Sequence, residues 1–524
     1  MEKWQAVKQD SGINKELPAN LPTRKEIIEN SHLSETIFDE SKYRDYVKSF
    51  EDRVSLLQEQ EAQLLSDFDA LKPHYEKGGE IYREHVHIVR DLLSDLSRGI
   101  DNMLFQRDLF PVDKKWFLVE SQVETLSLQV RDMKYAMANL YSVGTYHSVT
   151  KGASFTKHMG PGQYARKELA SPYARSGLEP REMEAYFAGL LPSVENTKSE
   201  TILTANGMAS LTTVLALVKS EKNDGKYLIP ANSYYELNKV FRHMLREPGV
   251  KDFTFQPPET LLDHTKNDDP DMIFIEPIQN DPEMREIDVI DLVSVPTKHD
   301  KRFVIVDYTI SGQNIALHDI IEKSNPRNIL LLISSLHKMY EQGDDVAPAG
   351  VIHVVGKTAE GLKPITEKLR ALRAMLGTNI TAPSLLLLQR ISPDAVEEYS
   401  YAIGKNVTTL ARDLQRINSP IVKKISAAAE NESGASRGLV FYIHFMQDVA
   451  PRFVEGVLEK AREHKLPVME KSAFGYRQTS LSIPGELIVR IAPGVENSRQ
   501  VEILKQIFED VLIDLSREAR SNRS

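Results

Sequence analysis

Between residues 201 and 355 the chain repeats one pattern: a short, almost continuously apolar run, a polar break, then a helical stretch. The runs are TILT (201–204), KYLIP (226–230), DFTFQ (252–256), DMIFIE (271–276), RFVIVD (302–307), NILLLIS (328–334) and GVIHVV (350–355). A run apolar on consecutive residues suits a strand covered on both faces of its pleat. Strands of that kind alternating with helices define an α/β fold with a mostly parallel, doubly wound sheet. Longer helical stretches follow at 357–375 and 384–417. A smaller α/β unit then closes the chain, with strands expected at 438–445 and 486–492 and a last helix from Arg499 to about Arg517.

The region before this pattern reads differently. Tyr43, Val47, Phe50, Val54, Leu57, Leu64, Phe68 and Leu71 follow steps of four and three, interrupted once at Glu61, and Val86, Val89, Leu93, Leu96, Ile100 and Met103 follow them without a break. Val119, Val123, Leu126, Val130, Met133, Met137 and Leu140 repeat the spacing. Such stripes place apolar groups on one helix face, as in a bundle or coiled coil. The expected organisation is an N-terminal extension (1–40), a helical bundle (41–145), a large α/β domain (146–375) and a small C-terminal domain (376–524).

Composition excludes several functions. At 524 residues the chain is too long for one small domain. It has no cysteine, so disulfides, thiolate nucleophiles and Cys-zinc sites are ruled out. The net charge of -10 argues against general nucleic-acid affinity. Residues 1–150 carry 19 Lys+Arg against 26 Asp+Glu, which does not fit a DNA-reading headpiece. MEKWQAVKQD lacks a signal core and no apolar run is long enough to span a bilayer, so a cytoplasmic protein without a membrane partner is expected.

Three polar clusters fall after apolar runs, where α/β proteins place ligands. Asn206-Gly207-Met208-Ala209-Ser210 opens a helix, whose first N–H groups can hold a phosphate or simply turn the chain. Asp307 and Thr309 end a strand; the carboxylate can ligand a metal, orient a histidine, hold a protonated ring nitrogen or only cap. Ser334, Ser335, His337 and Lys338 follow the next strand. A partly desolvated lysine there is suited to react with an aldehyde, and the alternative is an exposed loop lysine.

Taken in order, these motifs resemble the Cys/Met-metabolism family of pyridoxal-phosphate (PLP) enzymes, over roughly residues 165–515. The family includes cystathionine synthases and lyases and methionine γ-lyases, and has the aspartate-aminotransferase fold, fold type I. Tyr173-Ala174-Arg175 is similar to its Tyr-x-Arg, which reaches the cofactor phosphate of a neighbouring subunit. Asn206-Gly207-Met208-Ala209 resembles its phosphate loop. Tyr234 stands where a Tyr stacks on the pyridine ring, and Phe241 matches a family aromatic. Glu276-Pro277 through Asn280 resembles Glu-x-Pro-x-Asn. Val306-Asp307-Tyr308-Thr309 resembles Val-Asp-Asn-Thr, whose Asp pairs with the pyridinium. Ser335-Leu336-His337-Lys338 resembles Ser-x-Thr-Lys, whose Lys forms the Schiff base. Val489-Arg490-Ile491 with Gly494-Val495-Glu496 resembles the segment whose Arg grips the substrate carboxylate.

The resemblance implies Lys338, Tyr234 and Asp307 as catalytic residues. The implied cofactor site is Lys338, Asp307, Asn206, Gly207, Met208, Tyr234, Ser335, His337, Thr309, Tyr173 and Arg175, with Arg490 and Ser472 for the substrate. It implies β/γ-elimination, as a carbon–sulfur lyase, or γ-replacement on an amino acid, by a homodimer or homotetramer with shared active sites. An aminotransferase or decarboxylase on the same fold, or a catalytically retired scaffold, are the alternatives. The chain departs from the family at several points. His337 replaces a Thr, Tyr235 and Glu236 replace two glycines, and the segment from Ser480 to Arg490 is shorter. A second Tyr-x-Arg stands at Tyr164 to Arg166, and the N-terminal helices have no family counterpart.

Overall fold

The computed structural model describes residues 40–70, 80–109, parts of 122–136 and 181–521, with short interruptions at 223, 246–251, 344–346, 358, between 382 and 392, and at 418. Residues 1–39, and Tyr164, Arg166, Tyr173 and Arg175, lie outside the described residues. The chain divides into two compact units, Met1–Phe50 and Glu51–Ser524, and the second carries both sheets.

The N-terminal stripes form helices α1 (Glu40–Ala70) and α2 (Glu80–Leu109), with helical turns between 122 and 136. Their apolar positions are buried: Val54, Leu57, Leu64 and Phe68 on α1, all six of the stripe on α2, and Val123, Leu126, Val130 and Met133 beyond. At Gly99 an added Cβ would lie 2.7 Å from Leu126 Cδ2, so a larger residue there would push α2 off the next helix. Val119, Met137 and Leu140 lie outside the described residues.

The main sheet has seven strands: β1 (Lys198–Thr204), β2 (Lys226–Pro230), β3 (Asp252–Gln256), β4 (Met272–Ile275), β5 (Arg302–Asp307), β6 (Asn328–Ser335) and β7 (Gly350–Gly356). Their order is β1-β7-β6-β5-β4-β2-β3, with β7 antiparallel to both neighbours and all other pairs parallel. All seven expected runs are therefore strands. Intervening helices are α3 (Arg181–Ala188) before β1, then α4 (Gly207–Glu221), α5 (Tyr235–Leu245), α6 (Leu261–Asp268), α7 (Val289–Ser294) and α8 (Leu317–Lys323). Phe303, Ile305, Leu331 and Ile333 pack with Val214, Leu217 and Val218 of α4 on one face. Val304, Val306, Leu330 and Leu332 pack with Leu292, Leu317 and Ile320 on the other. Each such buried side chain stabilises the fold by roughly 1.5–3 kcal/mol, which is why these strands read as unbroken apolar runs.

Helices α9 (Ala359–Leu376) and α10 (Pro393–Gln415) lead into a five-stranded sheet, ordered β10-β11-β12-β9-β8. Its strands are β8 (Val422–Ala427), β9 (Phe441–Phe445), β10 (Met469–Glu470), β11 (Ser480–Gly485) and β12 (Ile488–Ala492), with α11 (Ala450–Glu463) and α12 (Ser498–Ser521) alongside. Only β9 and β12 were legible in the sequence. Strand β8 holds two lysines and no fully buried position, β10 has two residues, and β11 ends in Pro-Gly. None of them carries the apolar run that marks a covered strand. Among the described residues no helix is long and apolar enough to cross a membrane.

Candidate active site

Strand register brings the three polar clusters to one edge. Asp307 at the end of β5 lies opposite Ile333, two residues before the end of β6. Ser335 of β6 and Thr204 of β1 both pair with Gly350, which opens β7. A Cβ at Gly350 would fall 2.3 Å from Asn206 O, so that residue's lack of a side chain lets the β1–α4 turn sit over β6. The turn and Ser335 then meet: a Cβ at Gly207 would lie 3.1 Å from Ser335 Cβ.

Here the expected phosphate residues divide. Asn206 is the N-cap of α4, and its side-chain oxygen accepts the Ala209 N–H at 2.8 Å. Its Oδ1 is thus spent on the helix. The N–H groups of Gly207 and Met208, the first two of the helix, have no acceptor among the described residues. They face an edge that also holds Ser335, whose N–H donates to Thr309 Oγ1 at 3.1 Å and whose Oγ lies 3.0 Å from His337 Nδ1. Amides at a helix start with no acceptor among the described residues, beside hydroxyl and imidazole groups, can hold an anion.

Asp307 accepts the Thr309 N–H at 3.0 Å. Burial raises its pKa above the ordinary carboxylate value, against the hydrogen bonds from Thr309, and no cation among the described residues acts on it. Glu276, just beyond β4, is buried at 5% exposure and accepts the Tyr234 N–H at 3.0 Å. Its pKa is pushed well up, first by burial and then by the charge of Asp307. Tyr308, by contrast, joins the core on the face of Val304 and Val306, its hydroxyl 3.0 Å from that of Tyr340.

Lys338 lies just beyond β6 and is half-buried. Its Nζ sits 4.6 Å from the centre of the Phe474 ring. The next residue, Gly475, has φ +86, and a Cβ there would fall 2.3 Å from Met339 Cε and 3.1 Å from Lys338 Cβ. Both the backbone angle and the space demand glycine. Just before Phe474, the carbonyl of Ser472 accepts a hydrogen bond from Arg490 of β12. Ser472 is exposed and meets Arg490 through its main chain. Arg490 pairs in register with Tyr442 of β9. Burial raises the Tyr442 phenol, and Arg490 opposes the rise. Tyr442 donates to Asn280 Oδ1 at 3.4 Å, and Asn280 follows closely on Glu276.

Direct contacts run from Gly207 through Ser335 and Thr309 to Asp307, from Asn280 through Tyr442 and Arg490 to Ser472, and from Phe474 to Lys338. Residues from both sheets contribute. The sequence did not mark Phe474 or Tyr442 as site residues. Glu276 was visible as a polar residue ending an apolar run, the signal that marks Asp307. Phe474 and Tyr442 carry no local signal, because only the packing of the second sheet brings them in.

A large, mostly parallel sheet with an antiparallel strand at β7, followed by a small C-terminal sheet, is the fold of the fold type I PLP enzymes. The cystathionine gamma synthase from Xanthomonas oryzae pv. oryzae, solved in complex with cystathionine, is similar in structure, with a TM-score of 0.50 and 15% identity over 65% of this chain and 88% of that one. The methionine gamma lyase from Micromonospora echinospora gives a TM-score of 0.48 with 18% identity, over 64% of this chain and 87% of that one. At 15% identity the likeness to the cystathionine gamma synthase establishes the fold alone. No family model matches the sequence, and a search of curated proteins finds no match.

Proposed function

We propose that the chain is a PLP-dependent enzyme that acts on an amino acid by β/γ-elimination, as a carbon–sulfur lyase, or by γ-replacement. The observation that carries this reading is Asp307: a carboxylate at a strand end, raised by burial, with no cation among the described residues acting on it. A half-buried acid of that kind, its charged form disfavoured by desolvation, calls for a positive partner. A protonated pyridine nitrogen is one, and the same edge offers a phosphate cradle at Gly207 and Met208 and an amine at Lys338.

The residues fit the group part by part. The Gly207 and Met208 amides with Ser335 and His337 would hold the phosphate, Asp307 the ring nitrogen, and Lys338 the aldehyde carbon. Tyr234 would lie against the ring. Bound there, pyridoxal phosphate supplies an electron sink for bonds broken at a substrate Cα. Lys338 would also be the base that takes the substrate Cα proton. Arg490 would bind the substrate carboxylate through the donors its Ser472 contact leaves over, using the forked geometry that lysine lacks. Tyr173 and Arg175 of a neighbouring subunit would complete the phosphate site, which makes a homodimer or homotetramer part of the proposal. The chemistry suits the cytoplasm, where amino acids and the cofactor are available.

The test is incubation of the holoenzyme with a panel of amino acids bearing sulfur or oxygen leaving groups at Cβ or Cγ. Ammonia, a keto acid and the released thiol or alcohol are expected together. A keto acid formed with the side chain intact means transamination and overturns the elimination reading.

A further inference from the structure

Two buried phenols stand beside the acid and the lysine. Tyr308 follows Asp307 directly and is 0% exposed, and Tyr340 lies two residues beyond Lys338 and is 4% exposed. Their hydroxyls meet at 3.0 Å, and Gln313 Nε2 donates to the Tyr340 oxygen at 3.0 Å. The hydroxyl pair therefore joins the turn after β5 to the loop after β6.

Two further ties join these segments ahead of the lysine. The Tyr308 N–H donates to the Ile333 carbonyl at 3.1 Å, and the Ser335 N–H donates to Thr309 Oγ1 at 3.1 Å. The phenol pair repeats the tie on the far side of Lys338. Gly312 has φ +54, and a Cβ there would lie 3.1 Å from Met339 Cγ, so glycine lets the turn close over the residue that follows Lys338. Lys338 is thus held to the Asp307 turn both before and after its own place in the chain.

Stability does not ask for the hydroxyls. Two phenylalanines would fill nearly the same space, and replacing both partners of a buried hydrogen bond by apolar groups of the same shape is nearly neutral. What the hydroxyls add is a fixed separation and angle, which apolar contact does not impose. Burial pushes the Tyr340 phenol up to about 12 and the Tyr308 phenol well above its ordinary value. Both stay protonated through neutral pH, so the tie does not change there. In the motif that residues 306–309 resemble, an asparagine stands at the place of Tyr308.

We propose that Tyr308 and Tyr340 are positioning residues, whose hydrogen bond sets Lys338 and Asp307 at the spacing that lets both reach one pyridoxal-phosphate ring. The inference rests on the PLP reading and names what keeps the two ends of that site in register.

The test compares two ligands on the cofactor-free full chain. Pyridoxal phosphate uses the lysine amine as well as the phosphate and ring-nitrogen contacts. Pyridoxine phosphate, with an alcohol in place of the aldehyde, uses the phosphate and ring-nitrogen contacts alone. In Tyr308→Phe the apparent dissociation constant for pyridoxal phosphate should rise about tenfold, as for the loss of one buried hydrogen bond. The constant for pyridoxine phosphate should stay within about twofold of wild type, whereas a purely structural role would weaken both ligands alike. Tyr340→Phe should repeat the pattern. The double variant should lose no more than the larger single loss, because the two hydroxyls act as one unit. Equal weakening of both ligands, an unchanged constant for pyridoxal phosphate, or losses that add in the double variant overturns the proposal. If a single variant fails to fold, the double variant, which leaves neither phenol facing a lost partner, carries the same comparison. A wild-type chain that binds neither ligand, or binds both equally, overturns the PLP reading and this inference with it. That failure shows before any substitution is made, and so is distinct from a failure of the phenol pair alone.

Discussion

Acids beside the main sheet stand in opposite circumstances. Glu184 of α3, 2% exposed, accepts from Arg373 at 2.7 Å, from Arg370 at 3.3 Å and from the Leu203 N–H at 3.1 Å. Arg373 also donates to the Leu203 carbonyl at 2.8 Å. At this edge the protein supplies both charges and the hydrogen bonds around them. Asp307 and Glu276, at the strand ends in the centre, face each other's charge, and no cation among the described residues acts on either. The first arrangement ties α3 and α9 to β1. The second costs stability and makes sense where a ligand brings the missing positive charge.

The largest expected effect comes from breaking the completed site. Arg373→Leu leaves Glu184 buried without its nearest cation and should destabilise the chain by about 3–5 kcal/mol in urea unfolding. A loss below about 1 kcal/mol would mean that Glu184 is not a buried pair in this sense, and the contrast with Asp307 would fail.

A smaller effect sharpens the other half. Glu496 is another buried acid, and burial raises its pKa to about 7 against hydrogen bonds from Thr479. The folded chain binds this proton more tightly than the unfolded chain, so stability falls as pH rises. The loss begins near the ordinary glutamate value of 4.5 and is complete above about 7. Glu496→Gln keeps an acceptor for the Thr479 N–H and removes the titration. It should gain roughly 3 kcal/mol at about pH 8 and almost nothing at about pH 4. An equal gain at both would show that the substitution acts by packing. Asp307 and Glu276 are raised in the same direction, so in the cofactor-free chain they too favour folding at low pH.

How far the sequence revealed this depends on burial. Strands covered on both faces, such as Arg302–Asp307 and Asn328–Ser335, announce themselves because nearly every position between their ends is apolar. The polar residues that end them, Asp307, Thr309, Ser335 and Lys338, stand out for the same reason. Val422–Ala427 and Ser480–Gly485 are half-solvated and show no such run. The wall that the second sheet builds, with Tyr442 and Phe474, was therefore hidden. Asn206 entered the expected phosphate loop through the resemblance of its motif, and in the structure its Oδ1 caps the helix. Nothing in a linear pattern separates those two uses of an asparagine. The hydrogen bond from Tyr234 to Glu236 was likewise hidden, because the sequence shows Glu236 only as a replaced glycine.

The claim beneath the whole account is that Lys338, just beyond the strand beside Asp307, carries the cofactor. Borohydride reduction of the chain with pyridoxal phosphate, followed by peptide mapping, examines it directly. The account requires a single stable label on Lys338, absent from Lys338→Ala. A label on another lysine, or no label at all, would contradict it.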